Sequence, residues 1–200
     1  MNRVEYLWLK LQAVAQLVVG RNAAALVVFH RMVQAWPDDS YALSSRAHLL
    51  AQAGRTADAL VDSQRLLHLP AACGRTWFNH GFMLEAVGQL EEARIAFVKA
   101  TELSPELDRA WYGLGLVLIR LHRYDEAMAA LKRNTELQPM SPYGWYQLAR
   151  VHVDRQEPDK AVKIIRHLKG FEPKVAAQLE RETGLLVKSN AVQQHLTLKR

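Results

Sequence analysis

Catalysis and metal binding need reactive side chains at set spacings, and this chain offers eight histidines, one cysteine and the glycines of Gly113–Leu114–Gly115. Histidine can ligate a metal or relay a proton, but a helical metal site sets two of them about one turn apart, as in H-x3-H or H-E-x2-H. His30, His48, His68, His80, His122, His152, His167 and His195 follow no such spacing. His80 and His152 fall where helices pack, which makes them core or boundary residues. The lone Cys73 excludes an internal disulfide, suits a reducing compartment and reads as a small, partly buried residue at a repeat junction. The Gly113–Leu114–Gly115 stretch has no strand before it and lies inside a helical pattern, so it is no phosphate loop. A nucleophile elbow, a Walker loop and a paired-carboxylate motif are also missing from the sequence. No catalytic residue, cofactor or metal is expected, and the chain is not read as an enzyme.

The residues that do recur at fixed spacing are structural. Trp77, Trp111 and Trp145 stand 34 residues apart. Each is followed at fixed distances by Gly81, Gly115 or Ala149, then Ala93, Ala127 or Ala161, then Phe97, Leu131 or Ile165, and last Pro105, Pro139 or Pro173. Weaker copies precede them: Leu43, Ala47, Ala59, Ser63 and Pro70, and before those Leu9, Ala13, Ala25, Phe29 and Pro37. Small residues suit places where two helices approach closely. Apolar residues three and four apart within each half-unit give amphipathic helices. Gly20, Gly54 and Gly88 sit midway, where a first helix must end. Asn22 and Thr56 are expected to cap the second helix, Pro158 to open one, and Pro37, Pro70, Pro105, Pro139 and Pro173 to stop it.

This pattern resembles the tetratricopeptide repeat family, with its W-x2-L-G-x2-Y, A-x3-F and P places. The resemblance covers most of the chain. It implies an all-α, right-handed α-solenoid of about five helix–turn–helix repeats, roughly residues 6–39, 40–73, 74–107, 108–141 and 142–175. A capping helix is expected over 174–188, with Val175, Leu179, Leu185 and Leu186 docked and Gln178, Glu180, Arg181 and Glu182 in water. Residues 189–200 read as a loose basic tail.

Such arrays bind partners in a concave groove formed by the first helix of each unit. The resemblance places groove positions two residues before the Trp place and one, five and eight after it. These are Leu7, Lys10, Val14 and Leu17; then Tyr41, Ser44 and His48; then Arg75, Phe78, Phe82 and Glu85; then Arg109, Tyr112, Leu116 and Ile119; and finally Tyr143, Tyr146, Arg150 and Val153. Aromatic and Arg side chains tend to dominate interface energies, and Arg grips carboxylates in a fork. The groove therefore favours a protein or peptide with apolar anchors and some acidic character. The alternative is that Phe78, Phe82 and Tyr112 only fill space between repeats. Some family members clamp a chaperone's free carboxylate with Lys and Asn pairs. Here Lys10, Arg75 and Asn79 fall near such places, but Val14 and Ser45 stand where the clamp has Asn, so that partner is not carried over.

The two ends differ. Residues 1–158 carry 17 basic and 16 acidic side chains, while 159–200 carry 9 and 4. Lys160, Lys163, Arg166 and Lys169 read as the solvated face of the last repeat helix, or as a contact for an acidic partner or phosphate; nucleic acid is not favoured. The first helix is apolar nearly all round, including Leu7, Trp8, Leu11 and Val18. That edge can pair with a second copy or a partner subunit, stay as a sticky end, or touch a membrane surface. Glu5 and Lys10 argue against a signal peptide and against a membrane span, which makes the cytoplasm the default. The leading reading is a non-catalytic adaptor, with an assembly or regulatory subunit docking through its first repeat as the second.

Overall fold

A computed structural model describes residues 3–187, all helical or in short connections, with no strand among them. Its helices are α1 (Arg3–Val18), α2 (Asn22–Ala35), α3 (Ser40–Gln52), α4 (Thr56–Leu67), α5 (Gly74–Ala86), α6 (Leu90–Leu103), α7 (Asp108–Arg120), α8 (Tyr124–Leu137), α9 (Pro142–Asp154), α10 (Pro158–Lys169) and α11 (Pro173–Thr183). This is an all-α solenoid of helical repeats, α1/α2 through α9/α10, followed by α11. The chain divides into two compact units at Gly113–Leu114, inside α7.

One turn geometry joins the two helices of every repeat. Gly20, Gly54 and Gly88 take φ of +72°, +76° and +81°, the left-handed region that Gly enters without Cβ strain. Arg21, Arg55, Gln89, Arg123 and Glu157 then donate their backbone N–H to the carbonyl five residues back, at 2.8–3.0 Å, as in a Schellman motif. In the last two repeats His122 and Gln156 hold the same left-handed place, at φ 57° and 59°. The turn also explains why two expected caps do not form. Arg21 and Arg55 occupy the position before α2 and α4, so Asn22 and Thr56 are already the first helical residues, and no side chain caps either end. Asp39 does cap, accepting from the Ala42 N–H at 2.6 Å, which is worth about 1 kcal/mol.

The Trp and Pro places are linked by a hydrogen bond. Trp111 Nε1 donates to the Pro105 carbonyl at 2.8 Å, and Trp145 Nε1 to that of Pro139 at 2.9 Å. Pro173 departs from expectation: α10 has already ended at Lys169, and Pro173 opens α11, where its missing N–H leaves nothing unsatisfied. Phe29, Phe97, Leu131 and Ile165 are fully buried at one repeat place, each contributing about 1.5–3 kcal/mol. Glycines make room for two of them. A Cβ on Gly113 would meet the Phe97 ring at 2.8 Å, and one on Gly115 the Leu131 Cγ at 2.6 Å. The Gly113–Leu114–Gly115 stretch is thus a packing device.

The second repeat departs from this apolar pattern. Asp62 is buried on α4 and accepts two bonds from Arg46 on α3, from Nε at 2.7 Å and Nη2 at 2.6 Å. Arg46 Nη1 also lies 3.1 Å from His30 Nδ1. Ser63, in the place of Phe97, lies 2.8 Å from His80 Nδ1.

The C-terminal end corrects the expected capping helix, because α11 stops at Thr183 and not at residue 188. Gly184 there takes φ 71°, and its N–H bonds the Glu180 carbonyl. Val175, Leu179 and Leu185 pack with Ile165 and Leu168 as expected, but Leu186 is 85% exposed and Val187 is buried in its stead. Glu180 does not face water either: its carboxylate holds Lys169 Nζ at 2.8 Å and the Val187 N–H at 2.6 Å, and these bonds hold it below the usual carboxylate range. Lys188 and the expected tail over 189–200 lie outside the described residues.

Candidate peptide-binding face

In the first unit, α3 and α5 place their groove positions around a cavity of about 580 Å³. Tyr41, Ser44 and His48 line it from α3, and Arg75, Phe78, Asn79 and Phe82 from α5, with Arg109 from the start of α7. Spacings of three and four keep such residues on one helix face. Phe82 is 57% exposed, an apolar ring offered to solvent. Phe78 is half-buried, with its ring centroid 5.9 Å from that of Phe97, so it both lines the cavity and fills space. Arg75 and Arg109 are exposed, and neither is paired with a carboxylate among the described residues of the first unit. No carboxylate lines the cavity, which leaves its charge positive.

Other expected positions fall elsewhere. Lys10 Nζ stands 4.4 Å over the Tyr41 ring, a cation–π contact outside the lining. Tyr112 is half-buried and also outside it. Leu66, Leu69, Met83 and Cys73 line the cavity without having been expected there. Their signal was weak, because the first two belong to the second helix of a repeat and its following loop, and Met83 is itself nearly buried. Cys73 is exposed, not partly buried as expected. Bonding to Thr76 holds its pKa below the usual thiol value.

In the second unit, Leu116 and Ile119 on α7 are half-buried, and Tyr143 and Arg150 on α9 are exposed. Tyr146 is engaged within the unit: its hydroxyl donates to the Glu182 carboxylate of α11, and the Arg150 guanidinium lies 6.0 Å from its ring. The bond to Glu182 raises the Tyr146 hydroxyl above its ordinary value. A second depression of about 540 Å³, lined by Met128, Trp145, Leu148, His152 and Ile164, was not expected from the sequence. It lies among packing positions, which a search for groove places passes over.

The histidines at packing positions have structural partners. Burial lowers the pKa of His80, which faces Ser63, and His152 Nδ1 stands 2.7 Å from Glu157. Among the described residues no group of three or more His, Cys, Asp or Glu stands together as a metal site requires, and no helix is long and apolar enough to cross a membrane. At the N-terminal edge, Leu7, Trp8, Leu11 and Val18 are all exposed.

Comparisons agree with this fold. Sequence profiles of the tetratricopeptide repeat match residues 10–68 and 84–145. Curated proteins gave no match. Among solved structures, MamA 41-end from Desulfovibrio magneticus RS-1 is 19% identical with a TM-score of 0.78, covering 91% of this chain and 98% of that one. YrrB, described as a TPR protein with an unusual peptide-binding site, is 17% identical with a TM-score of 0.74, covering 84% and 88%. TTC0263, a thermophilic TPR protein in Thermus thermophilus, is 22% identical with a TM-score of 0.63, covering 87% and 96%. These likenesses concern the fold. Repeat period, helix pairing and profile matches together place the chain in the tetratricopeptide repeat family.

Proposed function

We propose that this chain is a non-catalytic scaffold whose first-unit face binds an extended peptide or a partner's helix through an apolar anchor and an adjacent acidic group. The observation that carries this reading is the exposed Phe82 ring beside unpaired Arg75 and Arg109, in a cavity that no carboxylate lines. An apolar side chain would sit against Phe82, Phe78 and Met83. A carboxylate beside it would meet one or both guanidinium groups, which can donate parallel hydrogen bonds. The single exposed Cys73 supports a reducing compartment such as the cytoplasm.

Two synthetic peptides test this, one with aromatic and acidic residues and one with the acids replaced by lysines. The acidic peptide should bind, and Arg75→Glu with Arg109→Glu should weaken it by at least about tenfold, as expected for charge reversal at a desolvated pair. Phe82→Ala should weaken it at any salt concentration. Equal binding of both peptides, or of neither, would overturn the reading.

Nucleic-acid contact through the C-terminal end is less favoured. Lys160 pairs with Glu157 at 3.1 Å and Lys169 with Glu180 at 2.8 Å, so two of the four cations on α10 are already neutralised. Docking through the first repeat has its own support in the exposed face of α1.

A further inference from the structure

The exposed apolar residues of α1 form a pattern. Val4, Leu7, Leu11, Val14 and Val18 recur at alternating spacings of three and four, and every one is exposed. Leu11 is 70% and Val18 81% exposed. Trp8, 54% exposed, flanks the same stripe. The other side of the helix is already in use: Leu9 and Ala13 are buried, and Tyr6 and Leu17 pack against the core of the first unit. An apolar stripe at alternating three and four spacing is the seam that one helix offers to another in a coiled coil. A helix serving only its own core would show one such stripe; α1 shows two, on different faces.

We propose that this seam pairs antiparallel with α1 of a second copy of the chain, about a two-fold axis at Leu11. Area and shape favour that occupant. Val4, Leu7, Leu11, Val14 and Val18, with the flanking Trp8 and Val19, expose roughly 700 Å² per copy, the most this face can bury, against the ~800 Å² that each partner buries in a standard stable interface. An axis at Leu11 sets Val4 against Val18, Leu7 against the small Ala15 and Leu11 against itself. It also sets the large Trp8 against the smaller Val14 and Ala15, whereas a parallel pair would force Trp8 against Trp8. Antiparallel helix dipoles attract. Leu7 and Val14 were expected in the groove, but none of the seam residues lines the cavity, so this inference stands apart from the peptide-binding proposal.

Sedimentation equilibrium of the full chain, wild type beside Leu11→Glu, is the first test. The wild type should show a dimer mass, and Leu11→Glu should weaken dimerisation at least about 100-fold by facing two carboxylates across the axis. Circular dichroism should be unchanged, because Leu11 is mostly solvated in the single chain. Disulfide trapping in a Cys73→Ser background gives the second readout. Leu11→Cys should cross-link to itself. Val4→Cys alone should not, whereas a mixture of Val4→Cys and Val18→Cys chains should. A monomeric wild type would overturn the proposal, whether or not the seam then bound anionic vesicles or another protein's helix. Self-linking of Val4→Cys, or a dimer indifferent to Leu11→Glu, would equally overturn it.

Discussion

Removing the Asp62 carboxylate separates two descriptions of the second repeat. If the Arg46–Asp62 pair holds α3 and α4 together, Asp62→Ala should be costly and nothing apolar should replace it. If the pair is an inserted polar element whose halves only compensate each other, removing both should cost little. The side chains of Arg46 and Asp62 are 17% and 3% exposed. Leaving a guanidinium there without its carboxylate falls in the range of about 3–5 kcal/mol for a broken buried pair. Partial access of Arg46 to water puts the expectation at the low end, about 3 kcal/mol. Two repeats later the same pair of places holds Leu114 and Ala130, both buried. The double variant Arg46→Leu/Asp62→Ala therefore reproduces a packing this fold already uses, and it should lie within about 1 kcal/mol of wild type. Thermal unfolding followed by circular dichroism reads both. At roughly 2–4 °C per kcal/mol for a chain of this size, the single variant should lose about 6–12 °C and the double only a few degrees. A double variant as unstable as Asp62→Ala, or a single variant near wild type, would refute the argument.

Other outcomes follow from single contacts. Gln156→Gly should stabilise the chain by a few tenths to about 1 kcal/mol, since relief of the left-handed strain outweighs the added freedom of the unfolded chain; Gly88→Ala should destabilise it, and urea titration measures both. Gly115→Ala should lose about 1–3 kcal/mol, because the new Cβ meets the core carbon Leu131 Cγ at 2.6 Å and not the end of a flexible side chain. Hydrogen bonds from His152 and Lys160 hold the Glu157 carboxyl at about 2, below its ordinary 4.5. Its stabilising contribution is therefore complete above pH 4.5 and lost as the pH falls through 2, and Glu157→Gln should flatten that part of the acid-denaturation curve.

Much of the fold was legible because packing repeats. Small residues opposite Phe97 and Leu131, and glycines at the first three turns, follow from sterics that act alike in every copy. What stayed hidden depends on one copy alone. Arg46 and Asp62 lie 16 residues apart at places where the fourth and fifth repeats carry Leu114 with Ala130 and Leu148 with Ile164, so only the fold shows that they meet. His122 and Gln156 bear no sign of a left-handed residue until the period is laid over them. Glu180 and Tyr146 looked free because their partners, the Val187 N–H and Glu182, belong to a C-terminal segment with no earlier copy to read from. The site was legible as a face. The sequence pointed to Arg75, Phe82 and Arg109, but it could not separate the half-structural Phe78 from the exposed Phe82, since both fit the same stripe.

The Trp-to-Pro bond gives each unit its own clock. Trp111 in the first unit and Trp145 in the second each close their indole proton onto a carbonyl six residues earlier. Those protons exchange with solvent deuterium only when that bond opens. Two resolved indole signals in one spectrum would report two opening free energies at once. Matching rates would mean that the array opens as a single body, and unequal rates would show which half lets go first.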